Sequence, residues 1–176
     1  MALKSEVFRF SLNVADMDRQ VYGDFPLTVA RHPSETEARM MLRVLAFALN
    51  ADERLEFGRG ISTDDEPDLW RKSLAGDIEL WIELGTPDPD RLRKACGRAQ
   101  QVLLYCYGDR ATPVWWDKHA ASLSRLDRLR VFQLDDATCN GLAELARGES
   151  QLQCTIDGGV AWLSAGDANL QCAPRP

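Results

Sequence analysis

The stretch Asp65–Gly85, DEPDLWRKSLAGDIELWIELG, decides the reading of the fold. From Ile78 onward its residues alternate, with Ile78, Leu80, Ile82 and Leu84 on one face and Glu79, Trp81 and Glu83 on the other. A period of two marks a β-strand. The residues before the break Leu74-Ala75-Gly76 read as a partner strand, so the segment predicts a hairpin. With the turn near Leu74 and Ala75, Asp68 lies opposite Trp81. Glu79 and Glu83 are then its diagonal neighbours, roughly 7–8 Å away between backbones. Carboxylates gathered on one sheet face repel unless they share a proton or a cation. Such a group suits Mg²⁺ or Mn²⁺, which take oxygen ligands. The same residues also read as the solvated face of a half-buried strand, with Asp68 in a loop after Pro67.

Upstream, Phe8, Phe10, Leu12 and Val14 alternate with polar residues, which predicts a strand with one buried face. A turn-rich interval leads to a short strand around Leu27–Ala30, with Pro26 at its first position or on an edge. The segment HPSETEARMMLRVLAFALN predicts a helix. Ser34 and Glu37 have the form of a capping box there. Met40, Met41, Val44, Leu45 and Ala48 form its core stripe, and Arg39 and Arg43 face outward. Glu37 begins on the buried side, where a carboxylate needs a capping role or a polar site to face. Leu55 and Phe57 indicate a short strand, with Gly58 and Gly60 marking a bulge.

Downstream of Gly85, TPDPD opens a helix through an Asp88 or Asp90 cap with Pro89 in the first turn. Leu92, Ala95, Cys96, Ala99 and Leu103 form its stripe, leaving Lys94 near the opposite side. VLLYCY then reads as a buried strand. A helix from Pro113 carries Trp115 and Trp116; adjacent helical positions point about 100° apart, so one is core and the other half-exposed. Leu129–Leu134 is a strand, and a helix from Asp135 or Asp136 runs through Leu145. LQCTI-DGG-VAWLS is a hairpin with a tight turn, and the residues from Asn169 to Pro176 read as frayed.

The whole chain of 176 residues reads as one domain, 1–176, and its 45% hydrophobic and 27% charged content is ordinary for a globular protein. No apolar run approaches about 18 residues, which predicts no membrane span. No signal peptide is visible at MALKSEVFRF. Five scattered cysteines without a C-x-x-C spacing point to reduced thiols in a cytoplasm rather than a zinc cage. The net charge of −6 opposes nonspecific nucleic-acid binding but leaves room for local basic faces. Two candidates are Arg91, Arg93, Lys94 and Arg98, and Arg125, Arg128 and Arg130; each also reads as a solvated helix surface.

Two histidines, His32 and His119, exclude a multi-histidine metal centre. There is no G-x-S-x-G elbow and no phosphate-cradling glycine loop. An acidic constellation remains: Glu37 on a helix, Asp68 on one strand, Glu83 on the next. The order helix, strand, strand with Pro67-Asp68, strand ending in Glu83, helix, strand resembles the core of PD-(D/E)XK nucleases. That resemblance implies an α/β (α+β) fold, a central mixed sheet flanked by helices, with added N- and C-terminal β-hairpins. It also implies that Asp68 and Glu83 bind the metal while an acid from the preceding helix, Glu37, assists. The superfamily's lysine two residues after the second acid is absent: Gly85 stands there, and Lys94 on the following helix is the candidate replacement. Gln101-x-x-x-Tyr105 has the form of a signature from one nuclease branch, although it runs into a strand.

ARHPSETEARMMLRVLAFAL, ADERLEFGRGI, DDEPDLW, WIELGTPD, KACGRA and TIDGGVAWLS together resemble the YaeQ family of small bacterial proteins. The resemblance implies a variant PD-(D/E)XK fold and a bacterial cytoplasmic setting, without supplying a reaction. Two functions follow as expectations. One is a metal-dependent phosphodiesterase acting on DNA or RNA, with Asp68 and Glu83 on Mg²⁺ or Mn²⁺ and Glu37 and Lys94 as catalytic residues. The other is a nuclease fold without activity that binds a protein or nucleic acid.

Overall fold

The computed structural model describes residues 4–59, 65–147 and 150–176. Its contacts divide the chain into two compact units, one of residues 1–53 and 137–173, the other of residues 54–136 and 174–176. Each unit has its own five-stranded mixed sheet, and four helices lie among the described residues. The sequence led us to expect one central sheet with hairpins added at its ends. Instead, those hairpins join each other.

In the first unit, β1 (Glu6–Asp16) and β2 (Val21–Arg31) form a long antiparallel hairpin, and β8 (Gln151–Asp157) pairs parallel to β1. The strands β9 (Val160–Ala165) and β10 (Ala168–Cys172) complete the order β10-β9-β8-β1-β2. The second strand is longer than the short one expected. Pro26 sits in its middle, opposite Ser11, which is allowed because β2 is the sheet edge and a missing N–H there breaks no ladder. The tail expected to fray forms β10, with Asn169 and Gln171 exposed and Cys172 buried. The β8–β9 turn uses Gly158 and Gly159, both at positive φ (61° and 78°), and Asp18 accepts hydrogen bonds from both amides at 2.8 Å.

Helix α1 (Glu37–Leu49) is capped by Thr36, whose side chain accepts from the Arg39 amide. Ser34, the expected cap, bonds His32 Nδ1 instead. Every residue from Met40 to Ala48 is buried, so the outward arginine face expected at Arg43 does not exist. Arg43 is buried against Glu35. Helix α4 (Asp136–Ala146) buries Thr138, Leu142 and Leu145.

In the second unit, β3 (Leu55–Phe57), β4 (Leu69–Lys72) and β5 (Ile78–Leu84) form an antiparallel meander. Then β5, β6 (Ala99–Tyr107) and β7 (Leu129–Leu134) run parallel, connected by α2 (Pro89–Arg98) and α3 (Ala111–Leu123). Asp88 caps α2 and Pro89 fills its first turn, as the sequence predicts. Trp81, Val102, Leu104 and Cys106 pack with Leu92, Ala95 and Cys96 of α2 and Leu123 of α3. Deleting a buried side chain as large as Trp81 would cost roughly 3–5 kcal/mol. Gly60, placed in a bulge by the sequence, lies outside the described residues. No helix is long and apolar enough to cross a membrane among the described residues.

Candidate functional site: an opposed carboxylate pair

The hairpin Asp65–Gly85 forms, but its register differs from expectation by two residues. The turn spans Ser73–Asp77, with the Ser73 amide donating to Asp77 O at 2.8 Å and Gly76 at φ 93°. Its centre is therefore Ala75, half a residue later than the Leu74-Ala75 midpoint expected from sequence, which shifts the register by one. A bulge between Arg71 and Lys72 adds a further offset. Trp70 consequently pairs with Trp81 and Leu69 with Ile82, while the Asp68 amide donates to Ile82 O at 3.1 Å. Asp68 itself precedes β4, and its backbone bonds Ile82 on one side and the Gly58 amide on the other, which brings its carboxylate beside Glu83. Glu79 is not part of the pair; it bonds Arg54 and lies 3.8 Å from Arg71.

Both acids are buried, Asp68 7% and Glu83 5% exposed. The Asp68 strand approaches so closely here that a Cβ on Gly58 would lie 1.9 Å from Pro67 O, and only glycine fits. Asp68 Oδ2 accepts from the Leu84 amide at 3.0 Å. On Glu83 the contacts converge on one oxygen: Oε1 accepts from Trp81 Nε1 at 2.9 Å and from Arg91 Nε at 3.0 Å, with Arg91 Nη2 also 2.9 Å away. Oε2 has no hydrogen-bond partner among the described residues. Burial pushes the Glu83 carboxyl above the usual carboxylate range; the Arg91 hydrogen bond opposes this, and the Asp68 charge adds to it.

The basic residues divide. Arg91 spans the site, donating also to Glu66 O at 2.8 Å. Arg98 donates to Asp65 O at 2.9 Å and stands 5.1 Å above the Trp81 ring. Arg93 pairs with Asp90, and Lys94 lies on the exposed side of α2, where its helical position puts it. Arg128 is no free basic face: it donates to Cys96 O and Ala99 O at the end of α2. Trp115 is half-buried, donating to Pro87 O, while Trp116 is exposed. Gln101 and Tyr105 both lie in β6, and Tyr105 stacks on Phe132.

Glu37 is half-exposed in the first unit, with Arg147 Nε 3.4 Å from its Oε2. The fully buried acid near the start of α1 is Glu35, which the sequence reading passed over. Its signal was available: Glu35 stands just before α1, and Arg43 stands inside α1 between apolar residues on both sides. Among the described residues no group of three or more His, Cys, Asp or Glu side chains is arranged to hold a metal ion. All five cysteines are free thiols.

The sequence profile described as "YaeQ protein" matches residues 1–174. The chain belongs to the YaeQ family. It is 47% identical to "Uncharacterized protein YaeQ" of Salmonella typhi over 162 residues, covering 92% of this chain and 90% of that protein. The YaeQ protein of Escherichia coli K12 is 46% identical with the same coverage. Among solved structures, that of YaeQ from Xanthomonas axonopodis pv. citri superimposes with a TM-score of 0.92 at 45% identity, covering 97% of each chain. YaeQ from Pseudomonas syringae gives 0.88 at 35% identity, covering 97% of this chain and 94% of that one. The two-sheet mixed α+β architecture is thus that of the YaeQ structures.

Proposed function

We propose that the second unit carries a phosphodiester-hydrolysing site of the PD-(D/E)XK type, dependent on Mg²⁺ or Mn²⁺ and acting on DNA or RNA in a bacterial cytoplasm. One observation carries this reading: Asp68 and Glu83 are buried close enough for their charges to act on each other, and among the described residues Glu83 Oε2 has no hydrogen-bond partner. Mg²⁺ is commonly held by one or two carboxylates, with waters and substrate phosphates completing the shell, so the donor set fits. When bound, such an ion lowers the pKa of a coordinated water and offsets phosphate charge.

The chain's own residues supply the rest. The Leu84 amide and the Trp81 indole fix how the two carboxylates are turned. Arg91 balances Glu83 through Nε and Nη2 and sets a positive charge beside the two acids. Lys94, three residues further along α2, adds positive charge at the exposed edge. Free cysteines fit a reducing compartment.

A second reading, an inactive nuclease fold that binds a protein or nucleic acid, has its own support. Gly85, in the lysine's position, has φ 98°, a conformation that lysine adopts only with strain. Arg91 also already compensates Glu83 without a metal. Incubation with single-stranded, duplex and supercoiled substrates plus Mg²⁺ or Mn²⁺ separates the two. Hydrolysis is expected to fall by about 100-fold or more in Glu83→Gln and Asp68→Asn, with unfolding midpoints near the parent's. Absence of cleavage together with absence of Mn²⁺ binding in calorimetry removes the hydrolytic reading.

A further inference from the structure

The central rows of the solvent face of the first unit's sheet are made of amides, hydroxyls and aromatic rings, with charge returning at Arg9, one row beyond Ser11, and at Asp157, one row beyond Thr155. One row crosses all five strands in register: Asp24, Asn13, Gln153, Ser164 and Asn169. The next row runs Tyr22, Ala15, Thr155, Trp162 and Gln171. On the other side Pro26, Ser11 and Gln151 extend the face. Only Asp24 is ionic, and Asn13 Nδ2 donates to it at 2.8 Å. Thirteen average positions would carry roughly three or four charges, and a solvated sheet face is where they ordinarily go.

Two shallow cavities of about 420 and 460 Å³ lie on this face. They share Gln153 and Ser164, so they join into one trough running across the strands. Trp162, 43% exposed, lines one end, and Tyr22, 63% exposed, stands at the far end of its row.

We infer that this trough binds a neutral, hydroxyl-rich ligand, an uncharged oligosaccharide. The inference is independent of the Asp68–Glu83 site. Amide and hydroxyl side chains offer both donors and acceptors, which matches a surface of sugar hydroxyls. An exposed indole presents a flat apolar surface that the C–H face of a pyranose can cover. A nucleic acid would need phosphate-neutralising cations, and the first basic side chain on the face, Arg9, lies one row beyond Ser11. Size decides against a protein or a second copy. Strands about 4.8 Å apart and rows about 7 Å apart give a patch of roughly 400 Å². That is half of the ~800 Å² per partner that a stable protein complex buries.

The test is a titration of the full ¹⁵N-labelled chain with the hexaoses of cellulose, amylose and chitin, with an oligonucleotide and dextran sulfate as charged controls. At least one neutral sugar should shift the Trp162 indole N–H and the Gln153 and Asn169 side-chain amides, saturating in the millimolar range or tighter. Trp162→Ala should weaken binding about tenfold at an unchanged unfolding midpoint, and Trp162→Phe should keep most of it. Should Trp162→Ala fold poorly, the pair Gln153→Ala and Asn169→Ala gives the same reading. The inference is overturned if none of the three sugars moves these signals, or if the shifts persist unchanged in the variants. It is equally overturned if the charged polymers perturb the face more strongly than the sugars, or if sedimentation shows a second copy covering it.

Discussion

Each unit buries a glutamate against an arginine, and the two pairs are built differently. In the first unit Glu35 uses both oxygens: Oε1 takes Arg43 Nε at 3.1 Å and Nη2 at 2.8 Å, and Oε2 takes Nη2 at 3.1 Å. Arg43 then donates to Ala30 O at 2.8 Å, and both residues are almost fully buried. In the second unit Glu83 engages its arginine through Oε1 alone, and Arg91 remains partly in solvent. A carboxylate with both oxygens bonded to its own buried arginine holds structure together. One with an oxygen to spare, within the charge field of a second acid, has something left to bind. The same chemical pair thus serves as a lock in one unit and as a poised site in the other.

Breaking the lock should give the largest effect. Arg43→Ala leaves Glu35 buried without its cation and removes the donor to Ala30 O, and is expected to destabilise the chain by about 3–5 kcal/mol. Replacing both members with apolar residues of similar volume, Glu35→Met with Arg43→Leu, should recover most of that loss, because paired burial itself contributes little net stability. Urea denaturation measures both. A loss below about 1 kcal/mol for Arg43→Ala would show that the pair is not desolvated as its geometry indicates.

A smaller effect is expected at Gly85, which closes the strand bearing Glu83. Its φ of 98° favours glycine, and its amide donates to Tyr105 O at 2.9 Å. Restoring the superfamily's lysine by Gly85→Lys should cost about 1–2 kcal/mol in unfolding free energy through backbone strain. It should also fail to raise any hydrolytic activity, because a lysine there meets no clash but must adopt a left-handed backbone at φ 98°. A gain in activity at unchanged stability would instead show that the site lacks only the lysine.

How much of this was visible in the sequence depends on what each residue answers to. The alternation Ile78–Leu84 gave the strand, and Asp88-Pro89 gave the start of α2, because both are local signals. The polarity of the Glu83 face misled, since the parallel connections bring α2 and α3 over it and bury Trp81 and Glu83 alike. The closeness of Asp68 to Glu83 rather than Glu79 could not be read, because one bulge at Arg71 and one residue of turn length move the register by two. The uniform burial of α1 hid Arg43: helical spacing assigned it outward, and only packing on its other sides turned it in. Glycine at 85 read as a missing lysine, while the backbone there requires glycine.

The finest contrast between the two pairs is in their proton affinity. Glu83 has its folded-state pKa raised above 4.5, chiefly by burial and further by Asp68, against the pull of Arg91. Its folded form therefore holds a proton more tightly than its unfolded form. The stability this contributes is complete below the unfolded value and is lost as pH rises through the raised folded value. Glu83→Gln carries no such proton, so the parent should be favoured relative to the variant at acid pH and lose that advantage toward neutrality. At neutral pH the two should differ by no more than about 1 kcal/mol, because Arg91 can turn to solvent when its partner loses charge. Chemical denaturation of both proteins at several pH values from about 4 to 7 supplies the difference. Were that difference flat, Glu83 would be as settled in its ion pair as a structural lock, and the distinction between the two units would fail at the residue on which the proposed site depends.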